Sequence, residues 1–349
     1  MKPLLHLRFI HDPFGDPGLY VGVLWERRAF LFDLGDLSPL SPRALLKVSD
    51  IFVSHTHMDH FIGFDQILRL RLHRPQTLRV YGPPGLVQNV AGKLSGYTWD
   101  RVDEYPLVLE VYEYGESGQS GARFPCFRRF QREDLPDLGL PPGVLLREDW
   151  ARVRAVELDH GTTVLAFSLE ESTHFNIDKD RLRRQGIPVG PWLGELKNQL
   201  RCGAPGGKLF RVCWQEGNTP REQERTLEEW CRDLVRLCAG QKIVYVTDIG
   251  FTPTNQQKVV DLAAGADLFY CEAQFLYENR DEACKRGHLT ARQAGLLARQ
   301  AQVKKLILFH FSPRYRGREE EILNEAREAF GGLALIPAGL SAGTELSGE

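Results

Sequence analysis

Hydrophobic positions change period part-way along this chain. PLLHLRFI (3–10), LYVGVLW (19–25) and RAFLFDLG (28–35) are short apolar or alternating runs punctuated by Gly, Pro and Asp, the pattern of antiparallel strands. SPRALLKV (41–48) reads as a short helix with a Ser cap and Pro in its first turn, and DIFVSH (50–55) as a buried strand. LRVYG (78–82) and PPGLVQNVAGKL (83–94) predict a strand and then a helix. Strands resume in LVLEVYEY (107–114), RVRAVELDH (152–160) and TVLAFSLEE (163–171), with GESGQSG a polar turn or loop after the first.

From about Ser172 to Gly217 the pattern loosens into a mixture of Gly, Pro and basic residues, an excursion from the core. REQERTLEEWCRDLVRLCA (221–239) then reads as an amphipathic helix. The final third alternates strand and helix: KIVYVTD, NQQKVVDLAAGA, DLFYCEA, TARQAGLLARQAQ, KLILFHF, REEEILNEAREAF and LALIPA. Antiparallel strands first and strand–helix alternation later suit two sheets layered between helices. The expectation is therefore one α/β domain over 1–349 with an inserted segment at 172–217 and a frayed tail, SAGTELSGE. No repeat of fixed period is present.

Composition narrows the picture only a little. A chain of 349 residues can bury a sizeable core, and a net charge of −2 gives no support for a general polyanion binder. Any nucleic-acid contact would have to be local. The N-terminus lacks the pattern of a signal peptide, and no apolar run approaches the ~20 residues that span a bilayer. Seven cysteines without a CxxC pair read as reduced thiols. A cytoplasmic protein is expected.

The chemistry concentrates in VSHTHMDHFIGFD (53–65), where three of ten histidines fall within six residues at a strand end. Alternate side chains of an extended segment share a face, so His55 and His57 can point at one ion. A turn at Met58 can swing Asp59 and His60 toward a second. Imidazoles and carboxylates without thiolates suit Zn²⁺ or another divalent first-row ion such as Mn²⁺. A helix N-terminus capped by Asp59, with incidental histidines, explains this spacing less well.

This His-x-His-x-Asp-His run resembles the metallo-β-lactamase superfamily, an αββα sandwich with a one- or two-metal site. The resemblance implies further ligands at later strand ends, and His160, Asp248 and His310 close RVRAVELDH, KIVYVTD and KLILFHF. It implies one metal at His55, His57 and His160, a second at Asp59, His60 and His310, and Asp248 bridging. FLFDLGD matches the early Asp-x-Gly segment, in which Asp33 supports the ligand loop from behind; simple turn chemistry accounts for it nearly as well.

Within the superfamily, GHLTARQAGLLARQAQVKKLILFHFSPRY, YCEAQF and QGIPVGPWLGELK are similar to segments of ribonuclease Z. That resemblance implies phosphodiester hydrolysis at the 3′ side of precursor tRNA by a homodimer with two divalent ions. Asp59 would orient or deprotonate the attacking water, and His288, positioned by Glu272, would stabilise developing charge or protonate the leaving oxygen. The basic residues of the excursion, among them Arg183, Arg184, Lys197 and Arg201, are candidates for tRNA phosphate contacts, though DKDRLRR equally suits a solvated helix face. There are departures: Gln274 and Leu289 replace Thr and Ser of the family segments, and residues 114–150 add length. A second reading is thus a hydrolase of a small phosphodiester, cyclic nucleotide or ester. A metal-dead RNA-binding scaffold is a third.

Overall fold

The computed structural model describes residues 5–24, 27–116, 118–172, 174–201, 203–217, 219–238 and 240–340. The period-two runs form an eight-stranded sheet in sequential order: β1 (Leu5–Phe9), β2 (Leu19–Val23), β3 (Arg28–Phe32), β4 (Val48–Phe52), β5 (Leu78–Gly82), β6 (Val108–Gly115), β7 (Gly118–Pro125) and β8 (Glu133–Leu135). The first three strands are antiparallel, as expected, whereas β3 to β6 are parallel. Next come β9 (Val144–Arg147), β10 (Ala151–Asp159) and β11 (Thr163–Glu171). Strands β12 (His174–Ile177), β13 (Leu209–Glu216), β14 (Thr219–Thr226) and β15 (Val235–Cys238) pair only among themselves. The chain then forms β16 (Lys242–Val246), β17 (Leu268–Glu272), β18 (Lys305–Phe309) and β19 (Leu333–Leu335), giving a second sheet of order β19-β18-β17-β16-β11-β10-β9.

The facing sides of the two sheets meet through aromatic rings. Phe32 lies 5.7 Å from Phe167 and 6.0 Å from Tyr245, and Phe9 lies 4.9 Å from Phe309, all between ring centroids. The outer face of the first sheet is covered by Pro42–Leu45, Phe64–Arg71 and Leu86–Ser95, and that of the second by Pro253–Ala263, Ala291–Gln300 and Glu319–Phe330. Helix, sheet, sheet, helix is the αββα order that the sequence suggests.

A row of alternating charge crosses the first sheet. Asp50 faces Arg79, Arg79 faces Glu110, Glu110 faces Arg123, and Arg123 faces Glu133 on successive strands. Asp50 is fully buried between Arg28 Nη2 at 2.7 Å and Arg79 Nε at 2.8 Å. Opposite charges at directly paired positions fix register, because a slip of one residue would move each charge to the other face. Asp50→Ala would strand two partly buried guanidiniums, and a loss of about 3 kcal/mol in urea unfolding is expected. A loss below about 1 kcal/mol would mean that the arginines find other partners or water.

GESGQSG supplies the turn the sequence suggests, and its two ends also continue the strands on either side. Strands β6 and β7 pair from Val108↔Pro125 to Gly115↔Gly118, so the polar glycine run extends the hairpin.

Chain contacts divide the described molecule into two units, 1–146 with 153–169 and 242–349, and 147–152 with 170–241. The second has its own small core of Leu182, Ile187, Leu196, Val212, Leu227, Trp230 and Leu234. The excursion at 172–217 falls inside it, and the pairings β12–β15 and β13–β14 carry the unit on to 241. Here the expected helix over 221–239 is corrected. Thr219–Thr226 is a strand, a capping box of Thr226 and Glu229 starts a helix at Leu227, and the chain is extended again from Val235. Pairing with LFRVCWQE overrides the helix preference of REQERT, aided by Arg211–Glu224 at 3.2 Å across the ladder.

Candidate metal centre

Strand ends at one edge of the first unit converge on a cluster of imidazoles and carboxylates. His55 follows β4, and His57 caps the short helix Met58–Phe61, which turns Asp59 and His60 back toward the strand end. His160 sits in the loop between β10 and β11, and Asp248, Glu272 and His310 lie at the ends of β16, β17 and β18. Asp33, Asp248 and His310 each leave their strand with left-handed backbone (φ 60°, 49° and 60°), a conformation costly for residues with a Cβ.

Three groups result. His55, His57, His160 and Asp248 can each offer a ligand atom within 4.8 Å of the others, as can Asp59, His60 and His310, and also Asp248, Glu272, His288 and His310. Asp248 is common to the first and third and reaches the second. Its Oδ2 lies 3.6 Å from His55 Nε2, 3.7 Å from His160 Nε2 and 3.4 Å from His60 Nε2, while its Oδ1 is 2.8 Å from His310 Nδ1. Asp59 Oδ2 lies 3.4 Å from both His60 Nε2 and His310 Nε2.

The outward nitrogens are held from behind. His60 Nδ1 donates to Asp33 Oδ2 at 2.9 Å, because a carboxylate can only accept. Asp33 also accepts from Ser54 N (2.7 Å), Ser54 Oγ (2.9 Å) and Tyr245 OH (3.0 Å), so it organises the ligand loop from beneath the sheet end. Ser54 Oγ in turn faces His55 Nδ1 at 3.1 Å. His160 Nδ1 donates to the Gly287 carbonyl at 2.7 Å, and His288 Nδ1 to Glu272 Oε2 at 2.9 Å. Glu272 spends its other oxygen on Ile249 N, which fixes the backbone just after Asp248. These bonds set the tautomers and turn the opposite nitrogens of His55, His60, His160 and His288 into the cluster.

Burial, then the charge of His60, pushes His55 down to about 2, leaving Nε2 an unprotonated lone pair. Burial works against ionising Asp59, yet its hydrogen bonds with His310 and His60 hold it well below the ordinary carboxylate range. Asp248 is held down in the same way by His310 and His60. Burial opposes charge on His288, which Glu272 nevertheless raises. Buried His55 Nε2, His60 Nε2 and His310 Nδ1 all face carboxylate oxygens inside the cluster, at 2.8–3.6 Å. Imidazole nitrogens and ionised carboxylates converging on one space, with no thiolate, are the donor set of a divalent ion. The residues fit divalent metal.

Asn255, which no sequence motif marks, ties two loops of this cluster together. Fully enclosed at the start of Pro253–Ala263, it accepts from Asp159 N (3.0 Å) and donates to the carbonyls of Asp159 and Gly250 (both 2.8 Å). It thus clamps the residue before His160 to the loop after Asp248. Asn255→Ala is expected to weaken ion affinity about 10- to 100-fold in competition with a chromophoric chelator. Unchanged affinity with a lowered melting temperature would make the clamp structural only.

The remaining candidates lie on the second unit. Arg183 and Arg184 are exposed on Lys179–Arg184, Arg183 being 3.7 Å from Asp180. Lys197 is half-buried on Trp192–Arg201, and the Arg201 side chain lies outside the described residues, as do Cys202 and the tail 341–349.

Comparison with known proteins agrees with this geometry. Residues 195–311 match the family described as beta-lactamase superfamily domain. The chain is 30% identical over 284 residues to a ribonuclease Z of Deinococcus radiodurans, covering 80% of this chain and 81% of that one. It is 27% identical to a ribonuclease Z of Treponema denticola, over 87% and 85% of the two chains. Among solved structures, human tRNase Z, short form, superposes with a TM-score of 0.53 at 17% identity, covering 96% of this chain and 97% of that one. The metallo-beta-lactamase fold protein YhfI of Bacillus subtilis gives 0.54 at 13% identity, over 97% and 96%. At these identities the structural likenesses speak for the fold, and the sequence relatives for the family. The chain is a metal-dependent hydrolase of the β-lactamase superfamily and belongs, within it, to the ribonuclease Z family.

Proposed function

We propose that the chain is an endoribonuclease that cuts precursor tRNA at its 3′ side, using two divalent ions, zinc first among them. The observation that carries this is the ring of donors around Asp248, four imidazole nitrogens within 3.7 Å of its two oxygens, in a chain of the ribonuclease Z family. In this reading His55, His57 and His160 hold one ion, Asp59, His60 and His310 the other, and Asp248 serves both. When bound, the ions supply a nucleophile at neutral pH and compensate charge on the phosphate.

The chain's own groups do the rest. Asp59, held ionised, would orient the attacking water by accepting a hydrogen bond from it. Glu272 keeps the Nδ1 proton of His288 pointed away from the reaction, so Nε2 faces the leaving 3′ oxygen and can donate to it. Asp33 and the Gly287 carbonyl keep the rings of His60 and His160 from rotating. Arg183, Arg184, Lys197 and Arg201 supply affinity for the tRNA from the second unit. We read the working form as a cytoplasmic homodimer; no helix of the described residues is long and apolar enough to cross a membrane.

One observation favours a narrower substrate. Leu289, fully buried beside His288, stands where the resemblance has a serine, so a hydroxyl is missing next to the candidate acid. Metal analysis coupled to cleavage of a precursor tRNA decides. Bound ions with cleavage at the 3′ side are expected. Turnover of a chromogenic phosphodiester with no cleavage of precursor tRNA under any metal condition would put the small-phosphodiester reading in its place.

A further inference from the structure

Basic residues are not spread evenly over this nearly neutral chain. Residues 277–318 contain ten Lys or Arg against three Asp or Glu, and this segment carries both His288 and His310. Three of the ten, Arg299, Lys304 and Lys305, lie at the far end of Ala291–Gln300 and at the opposite end of β18 from His310. The others gather at the site end, and several share an arrangement. Arg292 and Arg280 lie over the Tyr277 ring, their guanidinium carbons 4.6 and 5.3 Å from its centroid. Arg316 lies 5.0 Å over Phe14, and Arg314 lies 5.3 Å over Phe275.

These platforms connect to the site. Phe14 meets Phe311 edge-on at 5.5 Å, immediately after His310, and Phe311 N donates to Pro13 O at 2.7 Å. The Phe275 ring is 6.3 Å from that of His288. Arg292 sits in the first turn of the helix that follows His288, its backbone N–H held by Glu325 at 2.9 Å. Arg314 is committed to Glu282 by two bonds of 2.7 and 2.8 Å. Among the described residues Arg292 and Arg316 make no ion pair.

A guanidinium held over a ring is positioned by the cation–π attraction, and its fork of N–H donors matches two phosphate oxygens. We propose that the Arg292 and Arg316 platforms form a preorganised phosphate track that leads the RNA backbone past His288 and His310. This deepens the endoribonuclease reading and rests on it. It places RNA contacts on the catalytic unit itself, apart from the basic residues of the second unit.

The test compares Arg292→Gln/Arg316→Gln with a charge-matched control, Arg299→Gln/Lys305→Gln. Precursor tRNA supplies kcat and KM, mature tRNA supplies a Kd at several KCl concentrations, and a chromogenic phosphodiester reports the chemistry. For the platform variant, KM and Kd should rise about tenfold or more. Its log–log salt slope should become shallower by about two, near 0.9 for each phosphate that is no longer neutralised. Its kcat and its chromogenic turnover should stay within about twofold of wild type, since binding rather than the transition state is affected. Arg292→Lys/Arg316→Lys should recover most of the affinity. A platform variant indistinguishable from the control, on a wild type that cuts precursor tRNA, would overturn the track alone. A wild type that neither binds nor cuts tRNA would overturn the track together with the reading beneath it.

Discussion

Asp248→Ala is expected to abolish hydrolysis, with turnover falling by more than about 10³-fold on precursor tRNA and on a small phosphodiester alike. No other side chain of the cluster faces so many of its members: four imidazole nitrogens lie between 2.8 and 3.7 Å from its two oxygens. Without it His55, His57 and His160 lose the one carboxylate of their group, and His310 loses the carboxylate 2.8 Å from its Nδ1. Ion content measured by mass spectrometry should fall in parallel, while circular dichroism keeps its wild-type shape. The core does not depend on Asp248, whose oxygens meet site histidines and the adjacent Thr247 hydroxyl. Wild-type-like turnover by the purified variant, with contaminating enzyme excluded, would remove the metal assignment altogether.

His288→Ala comes next in size and separates chemistry from ion binding. A positioned acid contributes about 10² to 10⁴ in rate, so kcat should fall by that much, with ion content and melting temperature close to wild type. The structure also holds the rival outcome. His288 belongs to a group with Asp248, Glu272 and His310 whose ligand atoms lie within 4.8 Å of one another. If the variant loses an ion, His288 is a ligand and the acid must be sought elsewhere. Glu272→Ala should do more damage than His288→Ala in either case, because it also releases Ile249 N and with it the backbone beside Asp248.

The candidate metal centre was legible partly from spacing, because His55, His57, Asp59 and His60 stand within six residues. The rest came from the family resemblance, which picked out His160, Asp248 and His310 at predicted strand ends, residues that would each be weak signals alone. Asp33 was also found through that resemblance, and turn chemistry accounted for it nearly as well. Asn255 was not: an amide two residues inside a helix looks like any cap, and its work appears only when a loop 96 residues away is brought against it. The arginine platforms are invisible in the same way, since Phe14 and Arg316 are joined only by the fold. The hairpin at 209–226 misled for a different reason. REQERT has the composition of a helix, and only its partner strand makes it extended. GESGQSG was rightly read as a turn, but glycine also hid how far strand pairing runs on either side of it.

The left-handed turns at Asp33, Asp248 and His310 also say how such a chain would decay. Each holds a side chain with a Cβ where glycine would sit with less strain, by about 1–3 kcal/mol in sparsely populated regions. Selection for folding alone would therefore pull those positions away from aspartate and histidine, and only the need to hold ions opposes the pull. A copy released from catalysis should drift first at 248 and 310, where relief of strain and loss of function come in a single step. Position 33 would follow later, because four hydrogen bonds still hold its carboxylate in place. What stands at these turns would thus date the loss of activity in a degenerate relative.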